Sequence, residues 1–319
     1  MCVKMNERGE AMSVKRWILE NTTDLAGKTV AVTGSTGGLG VELVSYLASL
    51  GASLVLVDRN LARSEQLARR LELEFGTSVV TVTADLEDLR SVGLACDRLK
   101  ELPIDIFIHN AGAYSIPRRT CENGYDNVFN INFVSPYYII KELLPVLRER
   151  GGSVVAVGSI AHRYSRTDSS DVDFSGKRAA SLVYGNAKRY LMYSLFELFR
   201  EERGVGLSIV HPGITFTNIT AHYPKLIFAL IKHPMKLIFM KPRRAALSLL
   251  RGVFDSCSYC EWIGPRFFDV WGLPKKKKLR YADEEERKYI GRTAERIYSE
   301  TVEHISKINL TGEESNEDQ

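Results

Sequence analysis

The sequence lacks any hydrophobic run long enough to cross a membrane. None of its apolar stretches approaches the roughly 20 residues that a spanning helix needs. Residues 1–17 carry charges throughout and contain no apolar core, so no secretory signal peptide is expected. These absences argue against a membrane-spanning or secreted protein and favour a cytoplasmic one.

Cysteine is scarce and the net charge is small. Five cysteines are an odd number in a chain of 319 residues, which favours reduced thiols over a disulfide framework. Cys257 and Cys260 form a single close pair without a second pair nearby, and Asp168, Asp171 and Asp173 lie in a polar loop, so no metal site is expected. A net charge of +4 is too slight to indicate a nucleic-acid partner.

The most informative stretch that is present runs from residue 28 to residue 58. It reads as a strand, a glycine-rich turn, a helix and a second strand ending at Asp58. The glycines at TGxxxGxG spacing are Gly34, Gly38 and Gly40. Such a turn lets backbone approach a pyrophosphate, and the following helix offers unpaired N–H groups. A carboxylate at position 58 can accept hydrogen bonds from a ribose, so the stretch predicts a dinucleotide site.

Strand and helix patterns continue to alternate as far as residue 210, which predicts a doubly wound parallel sheet in a single three-layer α/β/α domain. We expect this domain to cover residues 28–272, after a helical extension at 1–27. The last strand is expected within Trp262–Trp271, and Lys275–Lys278 is interpreted as a solvated basic run. Residues 273–319 are expected to form a charged helical extension that becomes disordered from residue 311.

Ser159, Tyr184 and Lys188 are the candidate catalytic residues. Ser159 follows a predicted strand, and ligands of open α/β sheets bind at the carboxyl ends of the strands. Tyr184 and Lys188 are four residues apart, on one face of a predicted helix. An ammonium beside a phenol lowers the pKa of the phenol, which makes Tyr184 a candidate general acid and base.

Five ordered motifs together resemble the short-chain dehydrogenase/reductase family: TGSTGGLG, HNAG, the Gly158-Ser159 pair, YGNAK and HPG. The resemblance covers about residues 28–217 and implies a Rossmann fold that binds NAD(P). Ser159 and Tyr184 are separated by 25 residues, more than is usual in the family. That gap and the sequence SIAHRYS resemble the branch of retinol dehydrogenases and WW-domain oxidoreductases.

The resemblance also implies roles for the residues of the catalytic group. Tyr184 would exchange a proton with the substrate oxygen, Ser159 would hydrogen-bond the same oxygen, and Lys188 would bind the nicotinamide ribose. Asn132 would hold a water that connects Lys188 to solvent, with Asn130 as a competitor for that role.

The cofactor contacts that the resemblance implies are spread over the strand ends. They are Thr33, Gly34, Ser35, Thr36, Gly38, Leu39, Gly40, Asp58, Arg59, Asp85, Leu86, Asn110, Ala111, Gly112, Tyr184, Lys188, Pro212, Gly213, Thr215 and Thr217. Asp58 would repel a 2′-phosphate and favours NAD(H), whereas Arg59 could bind that phosphate. The prediction is NAD(H) over NADP(H).

Residues 221–242 are apolar and basic, and the resemblance makes them the substrate lid. They point to a lipophilic alcohol or carbonyl substrate, such as a steroid-, retinoid- or long-chain-like molecule. Residues 222–241 also suit peripheral contact with a membrane. The predicted function is hydride transfer; the alternative is a catalytically silent regulatory or membrane-peripheral protein. The family usually pairs as a homodimer through helices that correspond to Gly124–Arg150 and Leu182–Glu202.

Overall fold

The computed structural model describes residues 14–214, 240–279 and 282–317, and for residues 309–317 it describes the backbone alone. Residues 14–21 form helix α1. The strands are β1 (Thr29–Thr33), β2 (Ser53–Asp58), β3 (Val79–Thr83), β4 (Ile106–His109), β5 (Ser153–Val157), β6 (Gly206–Val210), β7 (Glu261–Phe267) and β8 (Trp271–Lys278). The further α-helices are α2 (Gly38–Ser49), α3 (Leu61–Phe75), α4 (Leu89–Lys100), α5 (Asn127–Phe129), α6 (Ser135–Glu149), α7 (Ala180–Glu201), α8 (Pro242–Phe254) and α9 (Glu284–Glu317).

All eight strands form one sheet in the order β3-β2-β1-β4-β5-β6-β7-β8. Every neighbouring pair is parallel except β7 with β8. The strand order reverses between β1 and β4, and ligands of such sheets bind outside the carboxyl ends of the strands at this point. The predicted doubly wound Rossmann sheet is confirmed.

Helices cover both faces of the sheet and give the fold its three layers. Apolar residues of α4, α6, α7 and α9 pack on one face, and those of α1, α2, α3 and α8 pack on the other. Strands between two such layers are buried on both sides, which explains why Val30, Ala31 and Val32 are consecutive apolar residues with no exposed surface. No helix in the described ranges combines the length and apolar character that a bilayer crossing requires.

Strand β8 corrects the prediction for the chain beyond residue 272. Lys275–Lys278 is not simply a solvated run, because it pairs antiparallel with β7, with Lys275 opposite Gly264 and Lys278 opposite Glu261. Lysines suit an edge strand, since their charges oppose pairing with another sheet. The charged extension therefore begins as a strand and becomes helical only at Glu284.

Helix α9 corrects a second expectation, because it continues to Glu317 although disorder was expected from residue 311. The first turns of α9 are anchored by packing, and each added residue then extends a helix that is already nucleated. The amino-acid composition of residues 311–319 does not indicate that the preceding turns are packed against the domain.

The long helical region predicted at Gly124–Arg150 is interrupted where a bend was expected. A π-helical segment, Asn130–Val134, lies between α5 and α6 and ends directly before the Ser135-Pro136 step. Pro136 has no N–H to donate to the carbonyl four residues earlier, which belongs to Asn132. The wider turn therefore occurs in the segment that carries the candidate Asn132.

The loop of three acids is only partly solvated. Asp168 is half-buried, whereas Asp173 is buried and accepts hydrogen bonds from the backbone N–H groups of Asp126 at 2.7 Å and Ser175 at 3.1 Å. Asp173 thus organises the backbone of two segments. Among the described residues, no group of three or more His, Cys, Asp or Glu is arranged to hold a metal ion.

Candidate active site

The glycine-rich turn between β1 and α2 leaves no room for a side chain at Gly34 or at Gly40. Gly34 has φ +67°, and a Cβ at this position would lie 2.9 Å from Ala111 Cα. A Cβ at Gly40 would lie 2.8 Å from Ser35 Cα. Gly37 precedes α2 without a side-chain cap, so no side chain occupies the N–H groups that open the helix. These features fit the pyrophosphate of a dinucleotide.

Asn110, Ala111 and Gly112 follow β4 and tie it to the turn. The Asn110 amide donates to the carbonyls of Thr33 at 3.1 Å and Gly34 at 3.0 Å. The Thr33 hydroxyl accepts from the backbone N–H groups of Asn110 and Ala111. The segment therefore holds the turn in place, as well as lying where cofactor contacts were predicted.

Asp58 lies at the end of β2 but faces the turn. Its carboxylate accepts from the Thr36 N–H at 3.1 Å, the Thr36 hydroxyl at 2.9 Å and the Ser64 hydroxyl at 3.3 Å, and also from the Ser35 hydroxyl. Asp58 is 5% exposed. The carboxylate expected to bind ribose is thus already surrounded by donors from the protein.

Arg59 is exposed beside this site. Its side chain is 71% accessible, and its guanidinium lies 3.9 Å from the Asp85 carboxylate. Asp85 also accepts from the Glu87 N–H at 3.1 Å, and the adjacent Leu86 is buried. The predicted adenosine-side residues therefore lie together at the ends of β2 and β3.

Tyr184, Ser159 and Lys188 come together at the carboxyl end of β5. Ser159 lies close enough to Tyr184 to lower the pKa of the phenol, and the Ser159 hydroxyl accepts from the Ala161 N–H at 3.2 Å. Lys188 is 1% exposed; its Nζ donates to the Val157 carbonyl at 3.0 Å and lies 5.8 Å from the Tyr184 ring centroid.

Burial sets the pKa values of this group. Burial raises the pKa of Tyr184 to about 12. Ser159 lowers the pKa of the phenol by a smaller amount, and Tyr114 raises it further. Burial also lowers the pKa of Lys188 to about 7. Burial dominates the pKa of both groups, because a dry environment disfavours both charged forms, and the lowering of the Tyr184 pKa by Lys188 stays a prediction.

Asn132, rather than Asn130, adjoins Lys188. A Cβ at Gly112 would lie 2.8 Å from Asn132 Oδ1 and 3.5 Å from Lys188 Nζ. Asn132 also donates to the carbonyls of Ala113 and Val128, both at 2.8 Å. Asn130 instead donates to backbone carbonyls of the segment after β3. The position favours Asn132 for a role near Lys188.

The remaining predicted residues lie after β6. Pro212 and Gly213 border the site, and Gly213 has φ +85°. Thr215 and Thr217 lie outside the described residues, as does most of the predicted lid, residues 221–239.

Sequence reasoning missed a buried group that supports the Ser159 segment. Arg189 is 2% exposed; its Nε donates to Glu286 of α9 at 2.7 Å and its Nη1 to the His162 carbonyl at 3.0 Å. His162 Nδ1 lies 2.6 Å from the Ser159 carbonyl. An arginine inside an apolar helical run signals a hidden partner, but nothing in the sequence points to Glu286, which is 97 residues away.

A doubly wound sheet with an open glycine turn at its switch point defines a dinucleotide-binding α/β protein. The family model described as short chain dehydrogenase matches residues 28–225. The chain therefore belongs to the short-chain dehydrogenase family, whose members are NAD(P)-dependent oxidoreductases. The resemblance seen in the five motifs is confirmed.

Individual relatives agree with the predicted branch. Retinol dehydrogenase 14 of Mus musculus is 31% identical over 212 residues, which are 61% of this chain and 64% of that protein. The WW domain-containing oxidoreductase of Homo sapiens is 33% identical over 211 residues, 61% of this chain and 51% of that protein. The chain thus spans less than two thirds of either relative.

One solved structure that is similar to this chain contains a nicotinamide cofactor. The short-chain dehydrogenase from Sphingobium yanoikuyae in complex with NADPH is 25% identical, with a TM-score of 0.51, over 66% of this chain and 85% of that chain.

Proposed function

We propose that the protein transfers hydride between a nicotinamide cofactor and the alcohol or carbonyl group of a lipophilic substrate. The observation that carries the proposal is the meeting of Ser159, Tyr184 and Lys188 beside the glycine turn. When bound, the nicotinamide supplies or accepts the hydride. The side chains bind, orient and move a proton.

Each residue has a role that its position supports. Tyr184 exchanges a proton with the substrate oxygen, and Ser159 orients that oxygen through its hydroxyl. Lys188 binds the nicotinamide ribose through Nζ, and Asn132 holds a water that connects Lys188 to solvent. Burial raises the pKa of Tyr184 to about 12, so the phenol is neutral near pH 7 and can donate a proton to a carbonyl; in the reverse reaction the same oxygen accepts the proton.

Two observations support a lipophilic substrate. Residues 221–242 are rich in Leu, Ile and Phe, and one relative is a retinol dehydrogenase. Steroid-, retinoid- and long-chain-like compounds all meet this description.

The cofactor preference depends on Asp58 and Arg59. Because the Asp58 carboxylate is surrounded by Ser35, Thr36 and Ser64, support for the predicted NAD(H) preference is weaker than the sequence suggests. Arg59 is exposed, and a guanidinium can bind a 2′-phosphate. Acceptance of NADP(H) through Arg59 is therefore part of the proposal.

The proposal is tested with Tyr184→Phe, which removes the hydroxyl and keeps the ring. Turnover of lipophilic alcohols and ketones should fall by about a hundredfold or more, because general acid–base catalysis is lost. Cofactor affinity, measured by fluorescence titration, should fall far less than turnover, because Tyr184 is one of many predicted cofactor contacts. Tyr164→Phe is the matched control, since Tyr164 is 57% exposed and follows the same Ser159 segment.

If the protein is catalytically silent, a different outcome is expected. The parent chain would then bind cofactor but turn over no member of the substrate panel with either NAD(H) or NADP(H). Equal turnover by the parent and Tyr184→Phe would instead reject the assignment of Tyr184.

A further inference from the structure

The hairpin of β7 and β8 exposes large apolar side chains at its tip. Phe268 is 90% exposed, Phe267 55%, Trp271 44% and Leu273 37%. Phe267 lies opposite Trp271 in the strand register, and Leu273 follows Trp271 by two residues. Directly opposite residues of an antiparallel pair share a face, so Phe267 and Trp271 lie on one face of the hairpin, and a register shift separates this pair from Pro265–Pro274. We call Phe267, Phe268, Trp271 and Leu273 the hairpin patch.

The turn that carries Phe268 is held in an unfavourable conformation. Phe268 has φ +51° and Asp269 has φ +59°, and neither residue is glycine. Each such residue costs about 1 kcal/mol or more. The Asp269 carboxylate fixes the turn, because it accepts from Arg163 Nη2 at 2.6 Å and from Lys277 Nζ at 2.7 Å. The exposed Phe268 thus belongs to a constrained turn.

The charge around the hairpin patch is positive. Arg266, Lys275 and Lys278 are exposed on the strands that carry the patch. The hairpin, residues 261–278, contains five basic residues and two acids; Asp269 is buried between two cations, and Glu261 lies at the end of β7 away from the tip. An apolar tip with a cationic border matches an anionic phospholipid surface, where aromatic side chains enter the interface and lysines meet head groups.

The hairpin patch lies beside the candidate active site. A Cβ at Gly213, which follows β6, would lie 2.8 Å from the Val270 carbonyl and 3.1 Å from Met240 Sδ. Arg163, which holds the turn through Asp269, follows Ser159 by four residues. Contacts on both sides therefore join the hairpin to loops that border the site.

We propose that the hairpin patch docks the protein onto the surface of an anionic phospholipid bilayer. Docking at this tip brings the loops after β5 and β6 next to the lipid. The binding itself depends only on the hairpin, whereas entry of a substrate from the bilayer rests on the proposed function. The patch shares no residue with the range 222–241, for which the sequence also suggests membrane contact.

The test is co-sedimentation of the full chain with vesicles of phosphatidylcholine, with and without phosphatidylserine. The double variant Phe267→Ser/Phe268→Ser should bind the anionic vesicles at least about tenfold more weakly, because two large apolar side chains no longer leave water. Lys275→Gln should weaken binding to anionic vesicles alone. Leu73→Ser is the matched control, since Leu73 is 89% exposed on α3, and it should bind as the parent does.

Turnover of a water-soluble substrate is measured for the same variants, and it should be unchanged. If the parent lacks turnover while vesicle binding follows the hairpin substitutions, the proposed function fails and the docking proposal stands. Docking is overturned if the parent ignores anionic vesicles, or if the double serine variant binds like the parent. A parent dimer that the serine substitutions dissociate would also overturn it, because the patch would then face a second copy.

Discussion

Lys188 is a buried amine whose surroundings offer little compensation for a positive charge. Its Nζ donates to the Val157 carbonyl, and burial lowers its pKa from 10.5 to about 7. His109, fully buried nearby, is held neutral because burial and Lys188 both lower its pKa. Near neutral pH, Lys188 is therefore present in both its charged and its neutral form.

This pKa predicts a pH dependence of stability. Between pH 7 and 10.5 the unfolded chain binds more protons at Lys188 than the folded chain does. The free energy of unfolding should therefore rise with pH in that window, by about 1 kcal/mol per pH unit relative to Lys188→Met. Urea unfolding of both proteins without cofactor measures the difference, with exposed Lys15→Met as control. A difference that does not change with pH would contradict the low pKa.

Arg59 predicts a second effect at the scale of a residue. Arg59→Ser should lower kcat/KM with NADP(H) about tenfold or more and leave kcat/KM with NAD(H) nearly unchanged, because a charged hydrogen bond to the 2′-phosphate is lost. Arg69→Ser is the control, since Arg69 is 66% exposed further along α3. An unchanged ratio between the two cofactors in Arg59→Ser would exclude Arg59 as the phosphate ligand.

At the scale of an element, α9 is joined to the active-site layer through one buried ion pair. Glu286 in its first turns accepts from Arg189 of α7 and from Thr167 in the loop that follows Ser159. Arg189 in turn donates to the His162 carbonyl. The start of α9 thus helps to position the segment that begins at Ser159.

Loss of Glu286 should therefore be costly. Glu286→Ala removes the carboxylate that faces the buried Arg189 guanidinium, which should lower the free energy of unfolding by about 3 kcal/mol. Arg189→Met combined with Glu286→Ala should recover part of this loss, because no charge is then left unpaired. Thermal and urea unfolding give the values, and Glu303→Ala, at an exposed pair on α9, should be almost neutral. A neutral Glu286→Ala would show that the pair contributes little.

At the scale of the whole molecule, α9 covers the helices that were expected to pair in a homodimer. Tyr137 of α6 donates to Glu295 at 2.6 Å, and Tyr298 donates to Glu142 of α6 at 2.6 Å. Ile297 of α9 is 1% exposed within the same apolar cluster as α6 and α7. This surface is therefore already occupied by the chain itself.

We predict that the full chain does not form a dimer through α6 and α7. Sedimentation velocity over a range of concentrations should give one species with the mass of a single chain, 35.9 kDa. A species of twice that mass that persists in the variant Phe267→Ser/Phe268→Ser would contradict the prediction, because a dimer through the hairpin patch would then be excluded.

Helices and strands whose ends are set by nearby residues are the ones that the sequence indicates well. Asn60 caps α3 by accepting from the Arg63 N–H at 3.0 Å, and Gly76 ends this helix in the left-handed conformation. Strand β6 ends at Val210, the residue to which the alternation of strand and helix patterns was predicted to extend. Strand β8 was missed because its lysines have no apolar alternation, and only pairing with β7 makes them a strand.

The sequence by itself determined the five motifs that resemble the family, the order of strands and helices as far as β6, and the candidates Ser159, Tyr184 and Lys188, because motif spacing and apolar periodicity are local properties. Tertiary structure alone decided that Asp58 faces the turn, that Arg189 pairs with Glu286 and that burial raises the pKa of Tyr184. Burial and long-range contacts depend on which distant segments meet, and no local pattern records that.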